Sequence, residues 1–168
     1  TVSAYSYDGT AAGVFARADY GTAAVDNSGS ISAEAKYGYA YGVLARGEYA
    51  VVGNSGDISA SGYYGATGIA ASSYYGTTVT TTGGSISAIA VGDGIGINAQ
   101  SAYGDVVVTN ASDIEAVGIV LSAKGIQGYA YGNVDIDNSG YVYAGSLYGT
   151  AIGIYGYSIA GDVSINNS

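Results

Sequence analysis

A parallel β-solenoid of six coils is the fold this sequence predicts, on three observations. One unit of about 28 residues recurs six times, each unit holds three short segments of strand-like alternation, and no segment carries a sustained helical stripe. Three strands and three turns per unit describe one turn of a three-sided coil, stacked on the next by parallel backbone pairing at roughly 4.8 Å per layer. The expected class is therefore all-β, one domain over 1–168, with cuts at 1–29, 30–56, 57–84, 85–112, 113–140 and 141–168.

The first segment is marked by Asn27-Ser28-Gly29-Ser30-Ile31-Ser32-Ala33, which returns as Asn54-Ser55-Gly56-Asp57-Ile58-Ser59-Ala60. Looser copies are Thr82-Gly83-Gly84-Ser85-Ile86-Ser87-Ala88, Asn110-Ala111-Ser112-Asp113-Ile114-Glu115-Ala116 and Asn138-Ser139-Gly140-Tyr141-Val142-Tyr143-Ala144. Like residues stack on like in such a coil, so Val2, Ile31, Ile58, Ile86, Ile114 and Val142 should form one inward ladder. Burial of each is worth roughly 1.5–3 kcal/mol, and a single coil could not keep its inner face dry alone.

The second segment opens on Gly followed by Val or Ile in every copy, at Gly13, Gly42, Gly68, Gly96, Gly125 and Gly153. Its inward set should be Val14, Val43, Ile69, Ile97, Ile126 and Ile154, and the glycines should mark a corner that needs φ > 0 or close backbone approach. The third segment follows Tyr-Gly at Tyr20, Tyr75, Tyr103 and Tyr131, with Tyr49-Ala50 and Ala160-Gly161 as looser copies. Its expected inward set is Val25, Val52, Val79, Val106, Val134 and Val163. Asn27, Asn54, Asn110, Asn138 and Asn167 should form an amide ladder at a further corner, since Asn tolerates the left-handed region and can bond the copies above and below.

Composition limits what such a stack can do. The chain has 29 Gly, 19 Tyr and one Phe, with no Pro, Cys, Met, His or Trp. Without Cys there is no disulfide framework and no thiolate metal site, and no cofactor is expected. Thirteen acidic residues against four basic ones give a net charge of −9, which repels phosphate backbones, so nucleic acid is an unsuitable partner. Residues 58–92 carry no charge but are broken throughout by Gly, Ser, Thr and Tyr, which excludes a membrane-spanning helix. A transmembrane barrel shares the Tyr-rich alternation, but antiparallel strands would not require every third segment to match.

The Asn-Ser-Gly-x-Ile-x-Ala, Gly-Ile-x-Ala and Tyr-Gly-x-Val elements resemble the Gly/Ser/Asn-rich repeats of bacterial autotransporter passengers and large surface adhesins, over the whole chain. That resemblance implies a right-handed β-helix, export to the cell surface, and a part in adhesion or matrix building. The Tyr content departs from the commoner passenger repeats.

Catalysis finds little support in the residues. General acid–base chemistry has no His to use, and Arg17, Lys36, Arg46 and Lys124 fall in three coils. The acid pairs Asp113/Glu115 and Asp135/Asp137 flank inward positions at a spacing of about 7 Å and read as solvated charges that discourage lateral aggregation. The Thr77–Thr82 run occupies one coil and so makes no ice-binding face.

Tyrosine is the residue type that could carry a surface role. Tyr37, Tyr39 and Tyr41 alternate with small residues, as do Tyr129 with Tyr131 and Tyr141 with Tyr143, so their rings should stand outward. There they can stack on sugars, on another molecule, or on each other between coils. Asn110 and Asn166 match the N-glycosylation sequon. The first and last coils lack polar or irregular caps, and an open coil offers unpaired N–H and C=O groups to any other strand. The expectation is a non-enzymatic extracellular structural protein whose partner is itself, stacked head to tail, or flanking repeats of the same chain. Surface glycans are a further possible partner, and a polysaccharide-binding or polysaccharide-degrading β-helix is the alternative.

Overall fold

The structure, a computed structural model, describes all residues from Thr1 to Ser168. It contains sixteen strands and no helix, so no helix is long and apolar enough to cross a membrane. The first strand position of the six coils is held by β1 (Val2–Ser6), β4 (Ile31–Ala35), β6 (Ile58–Gly62), β8 (Ser85–Ala90), β11 (Asp113–Gly118) and β14 (Val142–Ser146), which form one six-stranded sheet. The second position is held by β2 (Ala11–Arg17), β5 (Tyr39–Asn54), β7 (Gly65–Thr81), β9 (Asp93–Ser101), β12 (Ser122–Ala130) and β15 (Thr150–Ser158). The third is held by β3 (Thr22–Asn27), the distal parts of β5 and β7, β10 (Asp105–Asn110), β13 (Val134–Asn138) and β16 (Val163–Asn167). Because β5 and β7 run unbroken round the corner, the second and third positions merge into one ten-stranded sheet.

Every pairing is parallel, as a solenoid demands and an antiparallel barrel forbids. The first-strand ladder Val2–Ile31–Ile58–Ile86–Ile114–Val142 is in register throughout, with coil lengths of 29, 27, 28, 28 and 28 residues. The second-strand ladder Val14–Val43–Ile69–Ile97–Ile126–Ile154 is equally continuous. These two ladders and the third-strand valines and isoleucines make the main core. Alanines such as Ala33, Ala40, Ala60 and Ala88 fill the narrower wedge where the first and second strands converge.

The third-strand ladder differs from expectation. Val79 lies beside Val108, not Val106, and Val106 stacks between Thr77 and Val134. Two inward ladders run here: Ala23–Ala50–Thr77–Val106–Val134–Val163, and Val25–Val52–Val79–Val108–Ile136–Ile165. The expected set joined three rungs of one to three of the other. Both positions face inward two residues apart, and from the fourth coil on both hold β-branched residues, so spacing alone could not separate them. Tyr49 also departs from its expected alignment. It pairs with Thr22 and Gly76, not with the tyrosine before Gly, because the register shifts between Gly47 and Tyr49.

The glycines before Val/Ile are close-approach residues. None has a positive φ, which occurs only at Gly21 (94°) and Gly84 (73°). A Cβ on Gly13, Gly42, Gly68, Gly96 or Gly125 would lie 2.5–2.8 Å from the carbonyl oxygen of the matching glycine one coil on, and would collide with the Ile or Val of the facing first strand. At this point two consecutive residues turn inward, as Gly96 and Ile97 do, and the second strand bends round the core.

Candidate functional site

The corner after the third strand is built by amides. Asn27 Nδ2 donates to Asn54 Oδ1, Asn110 Nδ2 to Asn138 Oδ1, and Asn138 Nδ2 to Asn167 Oδ1, each at 2.7 Å. Each donor amide also reaches the carbonyl two residues on, as Asn110 does to Ser112 at 2.9 Å, which ties the turn to the ladder. Thr81 takes the third rung and donates its hydroxyl to Asn110 Oδ1. No non-glycine residue has a positive φ, so this corner does not use the left-handed backbone expected of its asparagines. The Asn ends its strand extended, and its side chain makes the turn.

The ladder has a direction. The three Asn–Asn bonds and the Thr81–Asn110 bond all donate toward the C-terminal coil, while Asn54 Nδ2 reaches only its own Gly56 carbonyl, so the ladder is interrupted between Asn54 and Thr81. At the first coil Asn27 Oδ1 receives only the local Gly29 N–H, and at the last Asn167 Nδ2 has no acceptor. The glycine ladder ends in the same way: the Cβ position of Gly153 meets nothing within 4 Å, although its five counterparts are all crowded. The terminal coils also leave apolar rungs open, with Val2 41%, Val163 45% and Ile165 43% exposed.

Sequence reasoning missed a second set of ties. Asp57 Oδ1 accepts both the N–H and the hydroxyl of Ser85 at 2.9 Å, and Asp93 Oδ1 accepts those of Ser122 at 3.0 and 2.6 Å. Asp105 Oδ1 likewise takes the Asn133 N–H at 2.6 Å. The signal was present as an acid one coil before a Ser or Asn. The backbone donor, helped by the Ser85 hydroxyl, holds the Asp57 carboxyl below its ordinary value.

The expected surface tyrosines fall in three places. Tyr37 lies on the corner after the first strand, 5.3 Å from Tyr7 and 6.1 Å from Tyr63, with Lys36 Nζ 4.8 Å above the Tyr7 ring. Tyr39 stacks beside Tyr64 at 5.9 Å, and Tyr41 is half-buried on the second strand. Tyr129 packs 5.4 Å from Tyr155 and 5.8 Å from Tyr157, with Tyr131 exposed at the next corner. Burial and then the neighbouring Tyr155 hydroxyl push the Tyr129 phenol above its ordinary 10.0, which keeps it neutral. Tyr141 and Tyr143 stand exposed at the final coil beside Asp113 and Glu115.

The other expected sites are separated. Asp113, Glu115 and Asp137 are exposed, and Asp135 is half-exposed on β13. Thr77 and Thr81 point into the core, so the Thr run is not a face. Asn110 is 1% exposed with its amide engaged, which leaves no room for a glycan, whereas Asn166 is exposed and donates to Asp137 at 2.8 Å. No model of a known family, no curated protein and no solved structure matches this chain, so its ladders, corners and edges are the whole basis for a functional reading.

Proposed function

We propose that the chain is a non-enzymatic, extracellular structural protein whose coils stack head to tail on further coils of the same kind, building a surface fibre or an adhesin stalk. The observation that carries this reading is the matched ends of the amide ladder. Asn167 Nδ2 lacks an acceptor that the Oδ1 of an Asn in a further coil would supply, in the direction of the three Asn–Asn rungs within the stack. Gly153 agrees with it, since a glycine whose Cβ position is empty within its own chain has the counterpart role only under another coil. In that arrangement Ile154 covers Val14, Ile165 covers Val25, and the unpaired strand edges of both coils are satisfied through a heterologous, open-ended contact.

Electron microscopy of the purified chain tests the reading. The expected result is unbranched filaments, and Gly153→Ile should abolish them while leaving the β-sheet circular dichroism and the monomer's melting unchanged. Discrete monomers at every concentration, or filaments indifferent to Gly153→Ile, would overturn the self-assembled fibre and leave the adhesin stalk of continuous repeats standing.

A further inference from the structure

The protein has four cations, and three of them have partners. Arg17 bonds Asp19 at 2.8 Å, Lys36 sits over Tyr7 and Tyr37, and Lys124 sits 5.8 Å from the Tyr155 ring. Arg46 is the exception: its guanidinium makes no hydrogen bond or ion pair, although the chain has a net charge of −9. The coil stacks Arg46 directly on Arg17, one rung away. Like charges borne on adjacent rungs repel unless an anion lies between or upon them, and Asp19 bonds only Arg17. The other nearby acid, Glu48, is engaged by the Gly21 N–H at 2.8 Å.

Arg46 opens on a trough along the outer face of the second strand. The ladder there reads Arg17–Arg46–Ser72–Gln100–Tyr129–Tyr157. Two depressions of about 330 and 360 Å³ share Ser72 and Ser73 as their common floor. The first is walled by Arg17 and Arg46, the second by Tyr129, Tyr131 and Tyr157. Three rungs separate Arg46 from Tyr129, a span of roughly 14 Å. Between them lie neutral hydrogen-bonding groups with capacity to spare. The Ser72 hydroxyl has no partner, and Gln100 Nε2 donates to Asn98 at 3.1 Å while its side-chain Oε1 stays free; its backbone carbonyl accepts from Thr77 at 2.6 Å.

We propose that this trough binds an acidic oligosaccharide, with a uronate carboxylate on Arg46 and pyranose rings against Tyr129 and Tyr157. A guanidinium takes a carboxylate in a bidentate fork, which suits an anchor of defined geometry. Tyrosine faces take the C–H side of a sugar ring while their hydroxyls stay wet, and Ser72 and Gln100 are placed for ring hydroxyls between the two ends. A densely charged polyanion is disfavoured by the overall negative field, so the ligand is a largely neutral glycan with one acid per site. This site lies on the lateral face and does not depend on stacking of the terminal coils.

Titration calorimetry with aldotetraouronic acid, a xylose oligomer bearing one glucuronate, tests the assignment against neutral xylotetraose. The acidic sugar should bind at least about tenfold more tightly. Arg46→Gln should erase that preference without changing the melting of the coil, since its guanidinium bonds nothing, and Tyr157→Ala should weaken both sugars alike, with a small loss of stability from its contact with Tyr129. The proposal is overturned by absence of binding, by equal affinity for the two sugars, or by indifference to Arg46→Gln. A glutamate-rich peptide that binds as tightly as the sugar, through the same Arg46, would overturn the saccharide in favour of an acidic peptide. Loss of filaments with retained sugar binding would count against the stacking reading alone.

Discussion

Two corners of the same coil solve the turn in opposite ways. After the third strand the chain turns through an amide, and the spacing from the Asn to the inward Ile or Val is four residues at Asn27–Ile31, Asn54–Ile58, Asn110–Ile114 and Asn138–Val142. After the first strand it turns through tyrosines and aliphatics, and the connection varies from two residues at Tyr63–Tyr64 to four at 7–10. Hydrogen bonds from a short side chain have a fixed reach, so the Asn corner holds its length. Aromatic contacts between coils, at centroid distances of 5.3–6.1 Å, tolerate a residue more or less. One corner sets the register of the stack, and the other follows it.

The largest test of this difference is Asn110→Ala. Its side chain accepts from Thr81 and Ser112 and donates to Ser112 and Asn138, all in the interior of the stack. Truncation strands several buried polar groups at once, and the expected loss is about 2–4 kcal/mol by urea denaturation. A loss below about 1 kcal/mol would mean that the amide ladder decorates the corner without holding it.

The third coil offers a test in the stabilising direction. There Thr81 replaces Asn, and the distance to Ile86 is five residues, with Gly84 at φ 73° absorbing the extra one. Thr81→Asn alone should gain nothing, because the longer turn carries the i+2 carbonyl out of reach. Combined with deletion of Gly84 it restores the four-residue spacing and a continuous amide ladder, and should raise stability by about 0.5–1.5 kcal/mol.

These corners also show how far the sequence could be read. The Ile31–Ile58–Ile86–Ile114 ladder was legible because one large residue per unit recurs with small or polar neighbours, which leaves a single register. The Val106-Val107-Val108 run was not, because two inward positions there carry the same residue type and only pairing with Thr77 and Val79 distinguishes them. Of the tyrosines expected outward, Tyr37, Tyr39, Tyr131, Tyr141 and Tyr143 are exposed while Tyr41 and Tyr129 are half-buried, and their gathering at particular corners depends on turn lengths that vary between coils. The Arg17–Arg46 pair was hidden for the opposite reason: the two residues are 29 apart, and only the coil brings them into adjacent rungs.

At the aromatic corner the expected effects are smaller. Tyr37→Ser removes contacts with Tyr7 and Tyr63 and the cation above them, all of it at a ring 44% exposed. A loss of about 0.5–1.5 kcal/mol is expected, with no change in the cooperativity of unfolding. A loss equal to that of Asn110→Ala would put the two corners on the same footing.

The smallest effect separates neutral from charged bonds at the polar corner. Asp57 binds Ser85 one coil on, and this lowers its carboxyl from the ordinary value of 3.8. A depressed acid stabilises the fold above its unfolded value, and that stability is lost as pH falls through the lower folded value. Asp57→Asn should therefore melt slightly below the parent protein at pH 7, and the two should converge well below pH 3.8. The amide ladder does not titrate, so the deficit of Asn110→Ala should persist at the acid end. A deficit for Asp57→Asn that also persisted there would show that the carboxylate acts through its shape and not its charge.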